Sequence, residues 1–131
     1  MSMIRFLTLA EVLMIYEDQM RRYGGAYGVR DINLLSSAVY MPQATFGKKY
    51  LHPTIPGMAA AYAYHICENH ALLDGNKRVA LASALVFLDI NGFDFESSED
   101  EIYETMMEVA AGKMSKLHLA AQFAKFSNKR T

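Results

Sequence analysis

From Val79 to Ile90 the chain is apolar almost without a break, and a charged, glycine-containing string stands directly before it. Val79, Ala80, Leu81, Ala82, Ala84, Leu85, Val86, Phe87, Leu88 and Ile90 cover every side of a helix with 3.6 residues per turn. Only Ser83 and Asp89 interrupt them, and the run is too short to span a bilayer. A helix that is apolar all round belongs in the middle of a bundle, with other helices wrapped about it. The chain has 131 residues, room for one core, so a single domain over residues 1–131 is expected.

The rest of the chain supplies the wrapping helices. Thr8-Leu9-Ala10-Glu11 reads as a capping box, and the helix it opens carries Leu9, Val12, Leu13, Tyr16 and Met20 on one face before Gly24-Gly25. Asp31 caps a second helix with Ile32, Leu35 and Val39 at helical spacing, ending near Pro42. Pro42 to Pro53 is a loop or short hairpin, and Pro56 suits the first turn of a third helix that runs through Ala59, Tyr62 and Ile66 toward His70. The fourth helix starts near Asn76 and stops at Asn91-Gly92. Ser98-x-x-Glu101 is a second capping box for a helix ending near Gly112, and Ser115 caps a last helix to about Phe126. Phe93-Asp94-Phe95 is a short extended piece, and Ser127 to Thr131 reads as a frayed tail. The expected fold is all-α: a compact bundle of about six helices around a buried central helix.

Composition narrows the function. A net charge of −1 argues against a chain that coats nucleic acid, because neutralising phosphates needs a basic surplus. The single cysteine, Cys67, permits no internal disulfide, which suits a reducing cytoplasm, and its apolar neighbours read as core. No basic segment followed by an apolar run and a cleavage site opens the sequence.

The front end of the fourth helix carries the chemistry. The first backbone N–H groups of a helix have no internal partner, and the aligned peptide dipoles place roughly half a positive charge there. Lys77 and Arg78 therefore stand at the unfavourable end, each at a cost of about 0.3–1 kcal/mol. Free amides, the flexible Gly75 and two cations in one place call for a bound anion, and phosphate fits best. Asp74 adds a carboxylate able to hold Mg²⁺ against a polyphosphate. His70, four residues upstream, takes a proton near neutral pH. Blander readings stand beside this one: Asp74 as a simple N-cap, Lys77 and Arg78 as solvated residues, His70 as a structural histidine. A metal set of His65, His70 and Asp74 is also open, although residues five apart lie about 140° apart on a continuous helix.

The string His70-Ala71-Leu72-Leu73-Asp74-Gly75-Asn76-Lys77-Arg78 resembles the Fic/Doc signature, His-x-Phe-x-Asp/Glu-Gly-Asn-Gly/Lys-Arg. Ala82-x-x-Leu85-Val86-Phe87-Leu88-x-x-Asn91-Gly92 is similar to the Doc (death-on-curing) branch. So are Gly28-Val29-Arg30-Asp31-x-x-Leu34-Leu35-x-Ser37-Ala38 and Pro42-Gln43-Ala44, and the likeness covers roughly Ile4 to Phe126. One departure is Leu72, which stands where the family has Phe as a loop anchor.

The resemblance implies roles by position. His70 is the general base toward a target Ser or Thr hydroxyl, Asp74 the Mg²⁺ ligand, Gly75 and Asn76 the anion-binding turn, and Arg78 a fork onto phosphate oxygens. Lys77 stands where AMP-transferring members have glycine. Lysine there fills the space for the nucleotide phosphates and implies that ATP presents its γ-phosphate, as in a Doc-type protein kinase. AMP transfer and a non-catalytic binding scaffold are the alternatives. The implied target, by analogy, is elongation factor Tu. Pro42 to Thr54 is the implied flap, in which Thr45, Phe46, Lys48, Lys49 and Tyr50 receive an extended target segment. Ser97 to Glu101 falls short of the family's self-inhibiting helix because Ile102 follows it, so the implied partner is a Phd-like antitoxin that folds on binding.

Overall fold

The computed structural model describes residues 3–131. Six α-helices form the body: α1 (Leu9–Tyr23), α2 (Ile32–Tyr40), α3 (Ile55–Asn69), α4 (Asn76–Ile90), α5 (Glu99–Ala110) and α6 (Lys116–Phe126). A 3₁₀ turn over Met41–Gln43 follows α2, where Pro42 ends the α-helical hydrogen bonding. Two small antiparallel pairs complete the chain, β1 (Thr45–Phe46) with β2 (Lys49–Tyr50) and β3 (Phe93–Phe95) with β4 (Ser127–Lys129). The fold is all-α, as the hydrophobic spacing predicts.

The helix starts follow local chemistry. Thr8 and Glu11 form both halves of a capping box, with Glu11 N–H donating to the Thr8 hydroxyl at 3.1 Å and Thr8 N–H to the Glu11 carboxylate at 2.9 Å. Asp31, Thr54, Ser98 and Ser115 cap α2, α3, α5 and α6 with side-chain oxygens. At Ser98 only the forward bond from Glu101 N–H forms, so the second expected box is half made.

The most enclosed helix is α3, buried without a break from Gly57 to Ala63. Its alanines let α4 approach closely, and α4 presents Val79, Ala80, Ser83, Ala84, Phe87 and Leu88 to it. Val86 and Ile90 remain on the surface at 38% and 39% exposure. The apolar run thus overstates how centrally α4 lies; α3 occupies the middle, and α4 flanks it. Removing a buried side chain such as Phe87 or Leu88 would cost about 2–5 kcal/mol.

The tail departs from expectation. Ser127–Lys129 pairs in register with Phe93–Phe95, and the Arg130 guanidinium bridges the carboxylates of Asp89 and Asp94. Phe126, packed edge-on against Phe95, steers the chain into this strand. The short extended piece therefore has a partner that the polar composition of the tail hides.

Candidate active site

The turn between α3 and α4 is built by three backbone decisions. His70 ends α3 in the left-handed region, φ 48° and ψ 41°, a conformation uncommon for a residue with a side chain. It carries the ring out of the helix and leaves it exposed. Ala71 and Leu72 then turn inward and are 1% exposed. Leu72 fills the anchoring position with an aliphatic side chain in the core. Gly75, φ 80°, makes the last turn into α4.

Asn76 ties this turn to itself. Its Oδ1 accepts from Leu72 N–H at 3.1 Å, and its Nδ2 donates to Leu72 C=O at 3.0 Å. The turn is also fastened to the segment between α1 and α2. Arg30 N–H and Asp31 N–H both donate to Ala71 C=O at 2.7 and 3.1 Å, and Leu73 N–H donates to Gly28 C=O at 2.9 Å.

Five of the six α-helices have a side-chain N-cap, and α4 has none. Its N-cap is Gly75, so the first-turn amides keep their donor capacity. Asp74, read as a possible N-cap, does not reach them: its Oδ1 accepts from Gly75 N–H at 2.8 Å, and its Oδ2 lies 3.4 Å from Ala26 N. Gly25, φ 120°, sits beside that carboxylate, and a Cβ there would stand 2.7 Å from Oδ2. Arg78 is held by Gly24 C=O at 3.3 Å and lies over the Tyr23 ring at 5.2 Å. Lys77 is exposed.

His70, Asp74, Gly75, Asn76, Lys77 and Arg78 line one cleft of about 660 Å³. Tyr23, at the end of α1, lines it beneath Arg78, and α5 contributes Glu99, Ile102, Tyr103 and Met106. One end of the cleft is cationic and donor-rich, and the other is apolar and aromatic. Such an arrangement suits a ligand with a polyanionic end and a flat apolar end.

The remaining sequence candidates lie elsewhere. Thr45, Phe46, Lys48, Lys49 and Tyr50 are exposed on the β1–β2 hairpin, turned by Gly47 and Lys48 with φ 58° and 67°, and line no part of this cleft. Positive φ at both turn positions is the type I′ pattern of two-residue hairpins. His65 is removed from Asp74: its Nε2 accepts from the Lys116 ammonium at 3.2 Å, and no three metal-ligating side chains converge among the described residues. Burial and Lys116 hold the His65 imidazole down to about 4. Cys67 is buried beneath the cleft, and burial pushes its thiol up to about 11.

A model of the family described as "Fic/DOC family" matches residues 6–88, the stretch that contains the turn, the hairpin and most of α4. The chain belongs to the Fic/DOC family. Among its Fic/DOC relatives is the protein named Toxin Doc of Mycolicibacterium smegmatis, 41% identical over 111 residues, covering 80% of this chain and 82% of the relative. Another is the protein named Protein kinase doc of Escherichia phage P1, 28% identical over 112 residues, covering 86% of this chain and 87% of the relative. These relatives support a Doc-type toxin with transferase chemistry as the coarse reading of the chain. No described helix is long and apolar enough to cross a membrane.

The α5 wall was not legible as part of a Fic/DOC site. Ile102 and Met106 lie four apart, which reads as an ordinary core-facing stripe. Tyr103 stands beside that stripe at 62% exposure, and nothing in the sequence alone separates it from an ordinary surface tyrosine.

Proposed function

We propose that this protein is the toxin of a toxin–antitoxin pair, a Doc-type kinase that moves the γ-phosphate of ATP onto a Ser or Thr hydroxyl of a translation factor. Elongation factor Tu is the target by analogy with the branch. The observation that carries the reading is the uncapped N-terminus of α4, with Lys77 and Arg78, in one cleft with the exposed ring of His70.

The roles follow from this arrangement. The free amides of α4 and the Arg78 guanidinium bind phosphate oxygens. Lys77 occupies the space that a glycine would leave and favours presentation of the γ-phosphate. His70 accepts the proton of the target hydroxyl as the new O–P bond forms. The bond from the γ-phosphorus to the bridging oxygen breaks, and ADP departs with its charge held at the helix terminus. The apolar wall of Ile102 and Met106, with Tyr103, receives the base.

Magnesium fits the acid present. Mg²⁺ keeps several waters and takes phosphate oxygens, so it needs only one or two protein carboxylates. Asp74 is exposed in the cleft and supplies one. When bound there, the ion would neutralise charge on the polyphosphate. The exposed hairpin with Phe46 at 82% exposure suits docking of an extended target segment along Thr45, Phe46, Lys48, Lys49 and Tyr50. Restraint would come from a Phd-like antitoxin, tested by co-purifying the two separately tagged proteins. The cytoplasm, where translation factors work, is the compartment this reading requires.

The test of the reaction is incubation with elongation factor Tu, Mg²⁺ and ATP labelled at either the α or the γ position. Label transferred from the γ position alone is expected. Label from the α position alone would make the protein an AMP transferase.

A further inference from the structure

Tyr16 is fully buried on α1, and its ring stacks on Tyr27 at 4.9 Å with an interplanar angle of 8°. Its hydroxyl is doubly used: it accepts from Gly28 N–H at 2.8 Å and donates to Gly28 C=O at 3.1 Å. That same carbonyl accepts from Leu73 N–H at 2.9 Å, and Leu73 is the residue before Asp74. The contact is close on the side-chain face as well, where a Cβ on Gly28 would meet Leu73 Cδ1 at 2.6 Å. Two residues further on, Arg30 and Asp31 grip Ala71, the residue after His70.

We propose that Tyr16 is a positioning residue for the transfer site, its hydroxyl fixing Gly28 so that the backbone between His70 and Asp74 is held in one geometry. The hydroxyl touches neither the cleft nor any reacting group. It acts through Gly28, on the loop that carries both the proton acceptor and the acid. The phosphate-binding end of α4 does not depend on this link, because Asn76 ties it to Leu72 independently. The effect therefore falls on kcat rather than on the KM for ATP. A displacement near 1 Å in such a loop can cost about 100-fold in rate.

The inference rests on the kinase reading for its rate measurement, and on amide exchange otherwise. A second buried tyrosine supplies the control. Tyr62 is also fully buried, and its hydroxyl accepts from Leu7 N–H at 2.8 Å, far from the turn in sequence and outside the cleft lining. Tyr16→Phe and Tyr62→Phe each delete one buried hydroxyl that satisfies a backbone amide, so both should lower the melting temperature by similar amounts.

Tyr16→Phe alone is expected to lower kcat about tenfold or more with the KM for ATP changed less than about twofold, and to speed hydrogen exchange at Leu73 N–H about tenfold or more. Unchanged kcat and unchanged Leu73 exchange in Tyr16→Phe would overturn the proposal, as would an equal loss of kcat in Tyr62→Phe. If Tyr16→Phe does not fold, Gly28→Ala disturbs the same link from the other side, and an unaltered kcat there overturns it too. If the wild-type protein transfers no phosphate, the kinase reading fails while Leu73 exchange still decides whether Tyr16 holds the turn.

Discussion

The carboxamide of Asn76 spans the backbone of Leu72 in both directions, accepting its N–H at 3.1 Å and donating to its C=O at 3.0 Å. Leu72 is 1% exposed, so neither backbone group has ready access to water. Asn76→Ala leaves both unpaired and should destabilise the fold by about 1–3 kcal/mol. Asn76→Asp keeps the acceptor and loses the donor, so urea unfolding should place it between the alanine variant and the wild type. An alanine variant as stable as the wild type would show that the tie is dispensable.

His70 offers a separation of activity from stability. Its left-handed backbone is strained by about 1–2 kcal/mol for an ordinary residue, and glycine adopts it freely. The ring is exposed and stands outside the buried core. His70→Gly should therefore unfold at the same or slightly higher denaturant concentration while losing about 10²–10⁴ in transfer rate. A glycine variant that retains full rate would remove His70 from the chemistry.

Stability should fall on the acid side, and His65 is the reason. Its imidazole accepts from the Lys116 ammonium, which requires the neutral ring, and burial and Lys116 hold it down to about 4 from an ordinary 6.5. His52, from the segment before α3, is held low by burial and by the same lysine. The unfolded chain takes up protons as pH falls through 6.5, whereas the folded chain resists until about 4. The contribution is thus complete above pH 6.5 and lost progressively down to about 4. Allowing for solvent screening, about 1–2 kcal/mol should disappear across that window. Unfolding curves from about pH 7.5 down to about pH 4.5 should show most of the loss, and His65→Gln should flatten it. An equal slope in the variant would assign the effect to other groups.

The parts of the site that were legible in the sequence are those whose local chemistry is anomalous. Lys77 and Arg78 at the positive end of a dipole, after a glycine, mark the N-terminus of α4 without any tertiary information. The caps at Thr8, Asp31 and Ser115 are equally local. What escaped depends on which face of a helix meets what. Ile102 and Met106 have core spacing whether they face the core or a cleft. His65 and Lys116 meet across 51 positions, and no pattern in either neighbourhood links them. The tail reads as polar and free until Arg130 finds Asp89 and Asp94. The central place expected for α4 has a similar origin: α4 carries a run of large aliphatic side chains, whereas α3 is rich in alanine, and small residues are what allow close packing inside.

The most direct test of the phosphate-gripping helix end is a titration of the isotopically labelled protein with Mg²⁺ and a non-hydrolysable ATP analogue, followed by the backbone amide signals. The account predicts saturable shifts concentrated at Gly75, Asn76, Lys77 and Arg78, with smaller ones at Tyr103 and none on the β1–β2 hairpin. If those four signals stay in place at saturating nucleotide, the front of α4 is not the nucleotide site.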